Sequence, residues 1–161
     1  MSDSHGRVGA VRKALNLFDR LGVAHIIHCG DVGGMEVFDE LVGRPLTFVW
    51  GNTDDPDDGL LAYLQTVGIR TPTEIPTRIE LDGMRFAVFH GHEHEFDRLD
   101  RLDVDFVLHG HTHATRDERI AGKRVINPGA LHRAAKKTVA TIDTATGHTA
   151  FHNIAGSWPN A

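Results

Sequence analysis

Between Arg7 and Leu21 the apolar residues Val8, Val11, Leu15 and Phe18 recur at intervals of three and four, and Gly22 follows. That period predicts an amphipathic helix closed by the glycine. The segment His25-Ile26-Ile27-His28-Cys29 is short, largely apolar and followed at once by Gly30-Asp31, the pattern of a buried parallel strand that ends in a loop. Residues 35–42 predict a second helix. Residues 46–50 repeat the strand pattern and run straight into Gly51-Asn52-Thr53-Asp54. The polar cluster 54–59 reads as a loop before a short helix over 60–67.

The second half is richer in strands. Segments 77–81 and 84–89 flank Asp82-Gly83, a two-residue hairpin signal, and deliver His90. A polar helix over 93–101 leads to a strand at 105–109, which ends at Gly110-His111-Thr112-His113. Strands follow at 115–120, 123–126, 138–142 and 149–154, with turns at Ala121-Gly122, Asn127-Pro128-Gly129 and Thr146-Gly147. Helices alternating with strands early, then strands in series, predict an α/β fold: a four-layer αββα sandwich of two mixed β-sheets flanked by helices. At 161 residues, without internal repeat or linker, the chain reads as a single domain over 1–161.

Composition narrows the function classes. No apolar run approaches the roughly 20 residues of a membrane span, and the amino terminus lacks a secretory pattern, so a soluble, cytoplasmic protein is expected. The lone Cys29 permits no internal disulfide. A formal charge of -5 argues against stable nucleic-acid binding, which needs a basic face. The 12 histidines are the unusual feature, because they fall at the ends of apolar runs rather than in a tract.

The loops share one grammar: apolar strand, glycine, then a residue able to bind metal. In open α/β sheets such loops gather beyond the carboxyl ends of the strands, so Asp3, His5, Asp31, Asn52, His90, His111 and His113 are expected to converge on one rim. Imidazole and carboxylate suit borderline divalent cations, and an aspartate can bridge two of them. Two such ions would bring four positive charges against the carboxylates of Asp3 and Asp31, leaving a centre that attracts phosphate oxygen. Ions about 3.5–4 Å apart can activate water and clamp the attacked and leaving oxygens. Taken singly the motifs say little: Gly30-Asp31 alone is usually turn chemistry, Asp3-Ser4-His5-Gly6 more often a helix cap and His90 more often a core histidine. Their joint presence in order is the signal.

The series Asp3-Ser4-His5-Gly6, Gly30-Asp31, Gly51-Asn52-Thr53-Asp54, His90-Gly91-His92 and Gly110-His111-Thr112-His113 resembles the calcineurin-like metallophosphoesterase superfamily. Length and the Asn127-Pro128-Gly129 turn look like its YfcE-type small phosphodiesterase branch. The resemblance implies Asp3, His5 and His113 on one metal, Asn52, His90 and His111 on the other, and Asp31 bridging. It implies a metal-bridging hydroxide attacking a small phosphodiester in line, with Mn as the expected metal and Ni, Fe or Zn as alternatives. Thr53 stands where much of the superfamily has a leaving-group histidine, a departure shared by the branch. His92, two residues beyond His90, is the replacement acid if it does not simply face water.

Other residues read as peripheral. Cys29 packs as a small apolar group, and His28 and His109 make core or supporting hydrogen bonds. Arg133 either reaches a substrate phosphate or is solvated, and Asp54 either caps the next turn or steadies Asn52. Members of the family usually begin with an apolar strand entering the Asp-x-His motif, whereas here Met1 and Ser2 alone precede Asp3. The expectation is a gap filled from an upstream or neighbouring segment, and a more weakly held ion at Asp3 and His5 if it stays open. The rival functions are a phosphomonoesterase of the same fold and a non-catalytic interaction scaffold, the use one eukaryotic trafficking-coat subunit makes of this fold. Homo-oligomerisation stays open.

Overall fold

The computed structural model describes residues 1–154; the one-domain expectation over 1–161 therefore extends onto residues outside the described ones. The first helix, α1 (Val8–Leu21), buries Val11, Ala14, Leu15 and Phe18 along the predicted stripe and ends on Gly22 at φ 66. A glycine fits that left-handed position because it has no Cβ to clash. Strand β1 (Ile26–His28) follows, then α2 (Met35–Asp39), and then β2 (Leu46–Phe48), which pairs in parallel with β1. Helix α3 (Asp58–Thr66) begins earlier than the apolar pattern suggested, because the Asp57 carboxylate accepts the Leu60 N–H at 2.8 Å and caps it.

The remaining strands are β3 (Thr77–Leu81), β4 (Met84–Val88), β5 (Phe106–Leu108), β6 (Thr115–Ile120), β7 (Lys123–Pro128), β8 (Thr138–Ile142) and β9 (Thr149–Asn153). Strands β3 to β7 form a mixed sheet in the order β3-β4-β5-β7-β6, parallel at β4-β5 and β5-β7 and antiparallel at its edges. Strand β7 runs two residues past the predicted end, since Thr115 pairs with Pro128 and carries the ladder into the Asn127-Pro128-Gly129 turn. The polar helix expected at 93–101 is instead a 3-10 helix over His94–Arg101, broken at Arg98.

Apolar residues separate these elements into layers. Val11, Leu15, Phe18, Val37, Phe38, Phe48 and Leu64 fill the space between α1–α3 and the β1-β2 pair. Cys29, Val49, Phe86, Val88, Phe106, Leu108 and Ile126 lie between that pair and the five-stranded sheet. Ala87, Phe89, Leu99, Val107 and Val125 join the far face of that sheet to the 3-10 helix. The order is helices, sheet, sheet, helix, as expected, with the fourth layer reduced to that single kinked helix.

The first sheet is interrupted. Strands β8 and β9 form their own antiparallel pair, and the amino terminus lies between them and β1. The Met1 amino group donates to the Ile27 carbonyl, Cys29 N–H donates to Met1, and Asp3 N–H donates to Gly30, so residues 1–3 run alongside the end of β1. On their other side, Leu131 N–H donates to the Ser2 carbonyl at 3.1 Å. Beyond Met1 a cavity of about 780 Å³, walled by Ile26, Ile27, Phe86, Leu108, Ala140 and Ile142, separates β1 from β8. Among the described residues no helix is long and apolar enough to cross a membrane.

Phe38 is fully buried and meets Phe48 and Trp50 edge-on at 5.0 and 5.9 Å, joining α2 to the strand that carries the Asn52 loop. Phe38→Ala is expected to cost about 3–5 kcal/mol through lost transfer energy and the cavity left behind. Urea unfolding followed by circular dichroism measures it; a loss below about 1 kcal/mol would show that the layer repacks.

Candidate metal centre

The strand-end loops meet at one rim. Asp3, His5, Asp31, His111 and His113 all adopt positive φ, between 43° and 68°, in a left-handed conformation that costs a non-glycine residue on the order of 1 kcal/mol. The loops are interlocked in return. His5 N–H donates to the Asp31 carbonyl at 2.9 Å, and His111 N–H reaches both Asp3 carboxylate oxygens at 3.2 and 3.3 Å. Glycine is required where backbones cross: a Cβ on Gly51 would sit 2.1 Å from Asp31 Oδ1, and one on Gly110 would sit 1.9 Å from Ser2 Oγ.

All the sequence-predicted ligand residues come together. Asp31 Oδ2 lies 3.4 Å from His5 Nε2 and 3.4 Å from His90 Nε2. Asp3 Oδ1 lies 3.2 Å from His113 Nε2. Asn52 Oδ1 stands 3.0 Å from His90 Nε2 and 2.9 Å from His111 Nδ1. Asp3, His5 and His113, and likewise Asp3, Asp31 and His90, present donor atoms within 4.8 Å of one another, as groups able to hold a cation.

The donor set fits a cation on a further ground. His5 Nε2 is buried with no hydrogen-bond partner, since its contact with Asp31 is too poorly aligned to count as one. A buried polar atom in that state costs energy that a bound ion would relieve. His90 Nδ1 lies 2.8 Å from the Cys29 carbonyl, which can only accept, so Nδ1 carries the proton and the Nε2 lone pair faces the centre. Burial alone would raise the Asp31 carboxyl. The Thr53 backbone N–H and hydroxyl, then His90 and His5, outweigh it and hold the group below its ordinary range, so it stands ionised.

The proximity of His111 and His113 does not arise from the extended chain that the alternate spacing suggested. Both residues are left-handed and Thr112 N–H turns back to the Gly110 carbonyl at 2.8 Å, so the loop folds each ring inward separately. His92, the proposed acid, is exposed to solvent at the rim, its ring 5.4 Å from that of His90 and 6.1 Å from that of His111. Thr53 Oγ1 lies 3.4 Å from His5 Nδ1.

Supporting groups resolve several open readings. Asp54 accepts the N–H groups of Val32, Gly33 and Gly51, so it ties the β1 loop to the turn that carries Asn52. His28 Nε2 bonds the Ser4 hydroxyl, and His109 Nδ1 lies against the Gly110 carbonyl. Cys29 is buried, its thiol pushed by burial up to about 12, so it packs as an inert group. The sequence reading missed Glu93, which accepts the His90 and Gly91 N–H groups at 2.7 and 2.6 Å, and His132, which packs against His5. A carboxylate three residues beyond His90 was visible in the sequence, but nothing local marked His132.

A profile of the calcineurin-like phosphoesterase superfamily domain matches residues 1–147. The chain therefore belongs to the calcineurin-like phosphoesterase superfamily and is a metal-dependent phosphoesterase of that class. It is similar to phosphodiesterase MJ0936 of Methanocaldococcus jannaschii, at 28% identity over 150 residues, covering 89% of this chain and 90% of that protein. The structure of an archaeal phosphodiesterase superposes with a TM-score of 0.83 at 26% identity, covering 95% of this chain and 96% of the other. The phosphoesterase YfcE of E. coli superposes with a TM-score of 0.66 at 21% identity, covering 95% and 96%, and shares the fold.

Burial drives the His109 pKa down to about 4, with His28 lowered by burial in the same sense. An unfolded histidine takes up a proton near pH 6.5, so the folded state loses stability as pH falls from about 6.5 toward 4 and keeps it above that window. For metal-stripped protein, His109 is expected to contribute up to about 3 kcal/mol of this decline. Urea unfolding at pH 7 and pH 5 should show the drop, reduced in His109→Gln; equal pH dependence in both proteins would refute the assignment.

Proposed function

We propose that this protein, acting as one domain in the cytoplasm, hydrolyses small phosphodiesters at a centre for two divalent cations, with Mn as the leading metal. The observation that carries the reading is the placement of Asp31 Oδ2 3.4 Å from both His5 and His90, between the Asp3–His113 contact and Asn52. In this reading Asp3, His5 and His113 hold one ion, Asn52, His90 and His111 hold the other, and Asp31 serves both. A metal pair supplies activation of water and charge neutralisation on a phosphoryl group.

The side chains have distinct tasks around that chemistry. Asp31, fixed by the Thr53 N–H at 2.9 Å, sets the separation of the two ligand groups. Asn52 offers a neutral oxygen that leaves the centre cationic and attractive to phosphate. His92 stands on the open side near His90 and His111, where it can hold a proton for the departing alcohol. Preference for a diester over a monoester is supported by the similarity to a protein named a phosphodiesterase. The scaffold alternative is disfavoured by the ligand set, since a scaffold has no need of seven metal-binding side chains aimed inward.

The central test strips the metal, reloads single metals and offers bis-p-nitrophenyl phosphate and p-nitrophenyl phosphate. Mn-loaded protein is expected to prefer the diester, and Asp31→Asn to lose about 100-fold or more in kcat together with metal content measured by elemental analysis. Diester turnover that persists in Asp31→Asn would assign the activity to a contaminant. His92→Ala should slow esters with poor leaving groups by about 10²-fold while sparing p-nitrophenyl esters. An equal loss for both would remove His92 from the acid role.

A further inference from the structure

We propose that Arg7, His132 and Arg133 form an anion subsite beside the Asp3–His5–His113 group, which recognises a second phosphate on substrates of the centre; the inference rests on the phosphoesterase reading above. The His132 ring stands edge-on to His5, with centroids 5.5 Å apart at 63°, so it flanks the candidate ligand group directly. Arg7 follows His5 by two residues at the entry to α1, and its Nε–H donates to His132 Nδ1 over 3.3 Å. These residues are 125 positions apart in the chain, joined only by the fold.

That hydrogen bond defines what the pair presents. With Nδ1 accepting from a guanidinium, the neutral imidazole carries its proton on Nε2 and offers a second donor. Arg7 retains its terminal N–H groups, whose planar fork matches phosphate oxygens. Arg133 lies exposed next in sequence, and the cations acting on His132 are Arg7, Arg133 and Lys137.

Among the described residues, the subsite cations are also free of carboxylates that would neutralise them. Arg12, Arg44, Arg85, Arg116 and Arg124 are each engaged by a carboxylate. Among the described residues, none pairs with Arg7, Arg133 or Lys137. Across the centre the carboxylate beside His90 and His92 is Glu93, which accepts the His90 and Gly91 N–H groups, so that flank offers a second anion no cation comparable to Arg7. A substrate bearing one phosphate on the metals and another nearby is thus oriented with the second toward Arg7 and His132. The substrate class is a phosphate ester carrying an additional phosphate group, rather than one with a neutral substituent there.

Calorimetric titration of Mn-loaded protein with ethyl phosphate and with 1,2-ethanediol bisphosphate tests this without turnover. The bisphosphate is expected to bind wild type about tenfold more tightly, and the ratio of the two affinities to fall to about one in Arg7→Ala/Arg133→Ala and in His132→Ala. Thermal melts check that the variants are folded. A ratio near one in loaded wild type, or a preference unchanged in folded variants, overturns the subsite. If ethyl phosphate fails to bind loaded protein while metal-stripped protein still prefers the bisphosphate through these residues, the metallohydrolase reading falls and the anion subsite stands.

Discussion

A buried carboxylate shared between imidazoles from separate loops is the constraint on which the rest of the molecule depends. Asp31 is 3% exposed, and ionised groups so far from water are costly unless fully engaged. Its Oδ1 accepts the Thr53 N–H and its Oδ2 faces His5 and His90. Satisfying one side chain in this way requires the loops after β1, β2 and β4 and the amino-terminal turn to arrive within a few ångströms of one point. The bare glycines at 51 and 110 follow from that demand, because any Cβ there would occupy the space of Asp31 or Ser2.

Such loops do not hold themselves. Left-handed backbone at Asp3, His5, Asp31, His111 and His113 opposes folding at each position, and the opposition is met by polar side chains bonded to backbone from outside the centre. Asp54 gathers the amides of two loops, Glu93 gathers those of His90 and Gly91, and Asn127 donates to the Gly110 carbonyl while accepting the Gly129 N–H. Each binds backbone rather than ligand side chains, so the geometry is fixed before any cation arrives. That is preorganisation in its physical sense: the ordering cost is met in folding, not in binding.

Much of this was legible in the sequence, for a specific reason. Period and punctuation are local, so the α1 stripe, the strand-then-glycine units and the hairpin at Asp82-Gly83 could be read from neighbours alone, and the convergence of ligands followed from where strand ends lie in an α/β fold. What escaped was set by contacts between distant segments. The inward turn of His111 and His113 depends on Gly110 closing on Ser2 and Asp3, the role of Asp54 on the β1 loop, and the position of His132 on a bond to Arg7. The helix expected at 93–101 was misjudged differently: its polar face was real, but Leu99 alone of its residues is buried, too little to hold a regular α-helix.

The centre is asymmetric, and the asymmetry bears on how a substrate meets it. On one side His90 is fully buried, its ring bonded to the Cys29 carbonyl and its backbone N–H to the Glu93 carboxylate. On the other, His5 and His113 are partly exposed, His5 packs against a ring that accepts a hydrogen bond from Arg7, and Asp3 enters from residues that border the cavity beside β1. A more buried flank and a more open flank bearing Arg7 thus stand around one shared carboxylate. In the proposed reading the first would fix where the reacting phosphate sits, and the second would attract the charge that accompanies it.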